Sequence, residues 1–212
     1  MATSDGDTVT VTGAITDATV ALTLSVNETI NIIWDATIIA TDAHAGNMIN
    51  LYGSYSSSTF TIVGGKTWVK SNGSAIFSDS PIWTIIISGG ELIQKGIGTA
   101  ISSFGNVVVN NGKVMARQGT AIYATDPSAT IDILGGFVFA YGTEIKGTEA
   151  TGGVLRAYSV HNIFVASLNP VVIAWEYKLS PQYAENSSTD IVLTGTSNCN
   201  MGKAKRRYRY RL

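Results

Sequence analysis

The chain has 212 residues, of which 45% are hydrophobic and only 14% are charged, and its formal net charge is −1 at pH 7. So small a net charge provides no field to attract nucleic acid, and we predict no nucleic-acid partner. The single cysteine, Cys199, excludes an internal disulfide framework and a cysteine-rich metal site. No apolar run approaches the ~18 residues of a membrane span, so we also predict no transmembrane segment.

Alternating β-branched runs occupy the N-terminal region. Thr8-Val-Thr-Val-Thr alternates strictly, and similar runs follow at Ala21–Val26 and Ile30–Ile39, which is the period-two pattern of strands. An open stack of strands exposes apolar side chains and unpaired backbone groups. We therefore predict that residues 1–58 form irregular coils that cap this end.

The first residues lack the basic and apolar parts of a signal peptide. We interpret Met1 as preceding the start of a mature chain. Low charge, abundant Ser and Thr, and scarce cysteine then favour a secreted or cell-surface protein whose signal peptide has been removed.

Residues 59–150 repeat with a period of about 23 residues. A Gly-Gly or Asn-Gly pair recurs in each copy at nearly equal intervals, and the second glycines of these pairs are Gly65, Gly90, Gly112 and Gly136. A propeller blade needs about 40 residues, whereas this period suits one coil of a parallel β-helix. We therefore predict an all-β solenoid in which like inward side chains stack at the strand spacing of about 4.8 Å.

A second glycine series marks another corner of each coil, at Gly73, Gly98, Gly119 and Gly142. We predict that both series are glycine because such corners require a positive φ, which glycine adopts without steric cost. Phosphate binding by these glycines is the weaker alternative.

The pattern becomes irregular after residue 150. Gly152-Gly153 is interpreted as a degenerate fifth copy, and its distance from Gly136 along the chain is shorter than the regular period, which predicts a shortened coil or a lost corner. Runs at Ile163–Ala166, Val171–Tyr177 and Ile191–Thr194 predict further strands. We assign 151–202 to irregular C-terminal coils and 203–212 to a solvated basic tail.

The third copy, Asn111-Gly-Lys-Val-Met-Ala-Arg-Gln-Gly-Thr-Ala-Ile-Tyr-Ala, carries a family resemblance. It resembles the repeats of adhesin-like bacterial surface proteins, and the resemblance covers about residues 20–160. It implies a single-domain, right-handed parallel β-helix like that of the pectate-lyase superfamily. It implies a fold and no activity, because no catalytic residue accompanies the motif.

Carboxylates supply the alternative, enzymatic hypothesis, a polysaccharide lyase or glycoside hydrolase. Glycoside hydrolysis needs two carboxylates across the scissile bond, and β-helices expose long grooves. Asp132 should point outward between Ile131 and Ile133, and with Glu144 it is a weak catalytic candidate. The repeated Asp79 and Asp126 are predicted to close turns through their own backbone instead.

No metal or cofactor site is predicted. The two histidines, His44 and His161, are far apart in the chain and have no Glu-x-x-His or Cys-x-x-Cys companion. We expect both in surface loops.

Aromatic side chains supply the candidate ligand-binding residues, because a flat ring can pack on the apolar face of a pyranose. We select Trp68, Tyr123 and Tyr141. Trp68 has the parity of Lys66 and Lys70, which favours exposure, whereas Trp83 precedes an apolar run and should be buried or cap a corner. Ring packing at coil edges is the structural alternative for the set.

The preferred function is a non-enzymatic, adhesin-like module that binds a glycan or another cell-surface polymer, or acts as a structural spacer. Ice binding is a third hypothesis. It requires a ladder of outward threonines, which Thr59, Thr61, Thr84 and Thr130 supply in part and Val107 interrupts.

Overall fold

Short β-branched runs that end at glycine corners form a parallel β-solenoid of about five coils, each of roughly 25 residues, in the computed structural model of the chain. The structure describes residues 1–42, 44–54, 57–117, 119–141, 154–158, 162–166, 170–177 and 191–194, and none of these residues is α-helical. Nor does any described segment form a helix with the length and apolarity required to cross a membrane.

Each regular coil contributes one strand to each of three faces, and the strands are numbered in chain order. The first face contains β4 (Asn31–Ala40), β6 (Ser58–Ile62), β9 (Trp83–Ile87), β12 (Val107–Val109), β15 (Ile131–Ile133) and β18 (Ile163–Val165). The second face contains the C-terminal part of β4, then β7 (Lys66–Val69), β10 (Glu91–Gln94), β13 (Lys113–Ala116), β16 (Phe137–Tyr141) and β19 (Val171–Tyr177). The third face contains β3 (Leu22–Val26), β5 (Ile49–Gly53), β8 (Ile76–Ser78), β11 (Ile101–Ser103), β14 (Ile122–Ala124) and β17 (Leu155–Arg156).

The core consists of columns of like side chains, as predicted. Parallel pairing places each inward residue on its counterpart in the next coil, because side chains in a strand alternate between the two sides. One such column of the first face is Ile32, Phe60, Ile85, Val107, Ile131 and Ile163. Burial of each large apolar side chain contributes about 1.5–3 kcal/mol, so these columns hold the coils together.

The first corner separates the first face from the second. β4 passes through this corner as one continuous strand. Trp34 pairs with Ile62 and Ile38 pairs with Thr67, so the next coil has one residue more than β4 between these two pairs. The extra residue is accommodated at Gly65, Gly90, Gly112 and Gly136, which have φ of 69°, 69°, 79° and 77°. The predicted alignment of these glycines along one edge is therefore confirmed.

Glycine at the second corner has a different cause. No positive φ occurs at Gly73, Gly98 or Gly119, so the prediction of positive φ there is wrong. A Cβ on Gly98 would overlap the carbonyl oxygen of Gly73, and one on Gly119 would overlap that of Gly98. Close approach of successive backbones therefore requires glycine at this corner. Gly142 lies outside the described residues.

A buried polar side chain also closes the second corner. Gln94 is fully buried, and its Oε1 accepts hydrogen bonds from the amides of Gly96 at 2.8 Å and Ser71 at 3.4 Å. Its Nε2 donates to the carbonyl of Gly73. Both ends of the amide are satisfied, as burial of a polar group requires.

The last coil is longer than predicted, not shorter. Ile131 pairs with Ile163, and Ile122 pairs with Leu155, so the chain between each pair is longer than one regular coil. Leu155 lies on the third face, and the strand that pairs with Phe137 begins at Val171, so the described part of the predicted fifth copy does not repeat the strand that follows Gly136. The prediction of a shortened fifth coil is wrong.

Both ends of the strand stack contain antiparallel pairs that the repeat did not predict. β1 (Ala2–Asp5) folds back on β2 (Thr8–Ala18), and β2 pairs in parallel with β4. At the other end, β20 (Ile191–Thr194) pairs antiparallel with β19. Strands within 1–58 thus already stack in register with the regular coils. The basic tail, 203–212, lies outside the described residues.

Candidate functional site

The second face presents a continuous row of large apolar side chains to solvent. Their strands pair in parallel and in register, so one residue from each coil occupies the same outward position. We call this row the apolar ladder; it consists of Ile39, Trp68, Ile93, Met115 and Phe139. Its members are partly exposed, while most of their strand neighbours are buried. Successive members are about 4.8 Å apart, so the ladder forms a strip about 20 Å long.

A row of cations runs beside the apolar ladder, at the C-terminal ends of the same strands. We call it the basic ladder, and it consists of Lys70, Lys95 and Arg117. The amide of Lys95 donates to the carbonyl of Val69 at 2.7 Å, and the amide of Arg117 donates to that of Gln94 at 2.8 Å. The parallel pairing thus continues through this position and places three positive charges on successive coils.

Trp68 belongs to the apolar ladder and contacts Lys95 of the basic ladder. The ammonium groups of Lys66 and Lys95 lie 4.9 and 4.0 Å from the centre of its ring, which is the geometry of a cation–π interaction. Its indole Nε1 is buried and has no acceptor within the described part of the chain. The N–H group of Trp68 is therefore not available to a ligand, and lysine ammonium groups lie over its ring.

The side of the apolar ladder away from the basic ladder has mixed chemistry. Lys66, Glu91, Lys113 and Phe137 share one register position. Lys113 Nζ lies 3.9 Å from a carboxylate oxygen of Glu91, and the Phe137 ring stacks on Phe139 at 5.9 Å between ring centres. On this side of the apolar ladder, the cation that contacts Trp68 is therefore Lys66.

The predicted ligand-binding residues lie on two faces. Buried Thr67 and Val69 confirm that Trp68 points outward. The backbone of Tyr141 continues β16 on the same face, and its side chain lies outside what the structure describes. Tyr123 lies on the third face, where the guanidinium of Arg156 is 4.5 Å from its ring centre. Tyr123 is thus separated from Trp68.

The first face carries Asp132 and the threonine row. Asp132 points outward, as predicted, and its neighbours in register are Val108 and Phe164, so no second carboxylate adjoins it along the ladder. The Thr130 hydroxyl lies 3.4 Å from Asp132. Glu144 lies outside the described residues.

The threonine row has a different register from the predicted one. Val107 is buried and pairs with Ile85, so it does not interrupt the row. Asn106 occupies that place, and its Oδ1 accepts from the Thr130 amide at 2.9 Å. The outward row is therefore a mixed Asn and Thr ladder, which consists of Asn31, Thr59, Thr84, Asn106, Thr130 and Asn162.

The two repeated corner aspartates differ. Asp126 accepts hydrogen bonds from the Ser128 hydroxyl at 2.6 Å and the Ser128 amide at 2.8 Å, which lower the pKa of its carboxyl group. Its predicted turn role is confirmed. The turn at Asp79 is closed by its neighbour Ser78, which is buried and bonds to both backbone groups of Ser80. The prediction that Asp79 itself closes this turn is wrong.

His44 is buried, not in a surface loop. Its ring nitrogens lie 3.3 Å from the carbonyl oxygen of Thr19 and 3.1 Å from that of Asn47. The surface prediction for His44 is therefore wrong, because its ring links two backbone segments of the N-terminal coils. His161 and Cys199 lie outside the described residues. Among the residues that are described, no three His, Cys, Asp or Glu side chains come together as metal ligands would.

Sequence reasoning missed the basic ladder, although its signal is present. The motifs Val-Lys-Ser, Gln-Lys-Gly and Ala-Arg-Gln place Lys70, Lys95 and Arg117 at equivalent positions before the second corner. Aligning the copies by their glycines and then comparing outward positions column by column identifies this row.

Comparison with known proteins gave no matching family model, no matching curated protein and no matching solved structure. The geometry of the second face therefore carries the functional argument.

Proposed function

We propose that this chain is a non-enzymatic, adhesin-like module of a bacterial surface or secreted protein, and that it binds an extended glycan along its second face. The observation that carries this proposal is the apolar ladder, with Trp68 inside it and cations beside it. A strip about 20 Å long matches an extended polymer better than a compact ligand. Sugar rings have apolar faces that pack on aromatic and aliphatic side chains, and their hydroxyl groups accept hydrogen bonds from lysine.

Binding without catalysis fits the chemistry of this face. Its only carboxylate in the apolar and flanking ladders of the described coils is Glu91, which faces Lys113. Hydrolysis of a glycoside requires a pair of carboxylates about 5–9.5 Å apart across the bond. A row of repeated weak contacts on a rigid rod gives affinity through their number.

A glycan array combined with an assay for reducing-sugar release tests this proposal. We expect wild-type protein to bind at least one extended polysaccharide and to release no reducing sugar from it. Trp68→Ala should weaken that binding about tenfold, since loss of a ring contact costs about 1.4 kcal/mol. Tyr123→Ala is the matched control, because it removes an aromatic ring from the third face, and it should leave the affinity unchanged. Sugar release that Asp132→Ala abolishes would establish an enzyme instead.

A further inference from the structure

We infer that the ligand of the second face is an acidic polysaccharide, with carboxylate or sulfate groups along its chain. This inference rests on the proposed function and adds the chemical class of the glycan. It starts from the basic ladder, in which Lys70, Lys95 and Arg117 occupy one register position on three successive coils.

The basic ladder is unfavourable for folding alone. Like charges on neighbouring strands at the same register position destabilise a sheet. The fold offsets part of this cost, because Lys70 Nζ lies 2.9 Å from Asp42 and Lys95 lies over Trp68. An anionic ligand along the basic ladder would offset the remaining repulsion, so the row is more favourable when such a ligand is bound.

Among the described residues, positive charge is concentrated on the side of the second face. The described residues include six Lys and Arg side chains, and five of them belong to the second face or to the position that directly follows its strands. They are Lys66, Lys70, Lys95, Lys113 and Arg117. The sixth, Arg156, lies on the third face. Within the described coils, the cations thus gather on the side of the second face, which indicates a local anionic partner.

The low density of this charge favours a polysaccharide over nucleic acid. Three cations span about 10 Å of the ladder, whereas duplex DNA brings one charge for every ~1.7 Å of its axis. An acidic polysaccharide with one anionic group on each sugar or disaccharide has a lower charge density and is a closer match. It also brings the apolar ring faces that Trp68 and its ladder neighbours can contact.

Lys95 connects the two contacts. Its ammonium group lies over the Trp68 ring in the free protein, and its flexible stem allows it to move to an acidic group of the ligand. That movement would expose the ring face for a sugar. Binding of an acidic group by Lys95 and stacking of a sugar ring on Trp68 are therefore coupled.

Three polymers with one backbone test this inference, namely dextran, carboxymethyl-dextran and dextran sulfate. We expect wild-type protein to bind at least one of the two charged forms about tenfold more tightly than dextran, with a preference that decreases as salt increases. The Lys95→Gln, Arg117→Gln double variant should reduce that preference to about twofold or less. Arg156→Gln is the matched control and should retain it. Thermal unfolding curves should show that both variants remain folded.

The outcomes separate this inference from the proposed function. Equal affinity for dextran and both charged forms, or no affinity for any of them, would overturn the acidic ligand and leave Trp68-dependent binding on the array intact. Tighter binding of a single-stranded oligonucleotide than of either charged dextran would overturn it in favour of nucleic acid. An array without any bound glycan would contradict the proposed function itself.

Discussion

The first and second faces of the solenoid bury the same kind of side chain and differ in what they expose. Inward positions of both faces hold mainly Val, Ile, Leu and Ala in the regular coils. Outward positions of the first face carry an Asn and Thr ladder beside a row that varies from Thr61 to Ile86 to Asp132. The second face keeps an apolar row and a basic row through three to five coils. Inward repetition follows from folding, and hydrogen bonds between strands account for the Asn and Thr ladder of the first face. The repeated apolar and basic rows of the second face require another cause.

The largest expected effect is the difference in stability loss between truncation of an inward side chain and truncation of an outward side chain in the same strand. Ile85 is fully buried in β9, and its neighbour Ile86 is partly exposed on the first face. Ile85→Ala should lower the free energy of unfolding by about 2–5 kcal/mol, because it leaves a cavity in the column. Ile86→Ala should cost less than about 1 kcal/mol. Chemical denaturation of both variants measures the difference, and equal losses would contradict the assignment of core and surface.

A smaller effect is expected from the charge next to the basic ladder. Asp42 pairs with Lys70 at 2.9 Å, with both side chains largely exposed. Asp42→Asn should free Lys70 and tighten binding of an acidic glycan about two- to threefold, since exposed ion pairs contribute about 0.2–1 kcal/mol. Isothermal titration at low salt measures this change. Weaker binding by this variant would show that Lys70 does not face the ligand.

The smallest effect concerns a corner that belongs to neither ladder. Hydrogen bonds from Ser128 lower the pKa of Asp126 below its ordinary value of 3.8. A lowered folded-state pKa contributes stability above the unfolded value, and this contribution is lost as pH falls through the folded value. Asp126→Asn should therefore be slightly less stable than wild type at pH 7 and should approach it as the pH falls below the ordinary carboxyl pKa. Denaturation at neutral and acidic pH tests this, and a difference independent of pH would refute it.

The coil could be predicted from the sequence because one copy of the repeat corresponds to one coil. Glycine spacing and alternating β-branched runs determine the strand positions, and Gly65, Gly90, Gly112 and Gly136 align as predicted. The long last coil was mispredicted because Gly152-Gly153 resembles a corner pair. Only the pairing of Ile122 with Leu155 shows that the next described strand, β17, belongs to the third face.

The candidate site was predictable only in part. Parity within β7 identified Trp68 as an outward residue, since one strand is enough to determine it. The ladders depend on register between coils, and the register predicted at Val107 was wrong by a single position. The different faces of Tyr123 and Trp68 likewise follow only once the corners are known. Buried His44 could not be predicted, because both of its carbonyl partners are set by tertiary contacts.

A residue-resolved map of the bound surface tests the central claim most directly. The experiment is a titration of isotope-labelled protein with the tightest-binding polysaccharide, followed by amide chemical shifts. We predict that perturbed amides cluster in Lys66–Lys70, Glu91–Lys95 and Lys113–Arg117, the strands and adjoining cations of the second face. Perturbations confined to the first or third face, around Asp132 or Tyr123, would contradict the account.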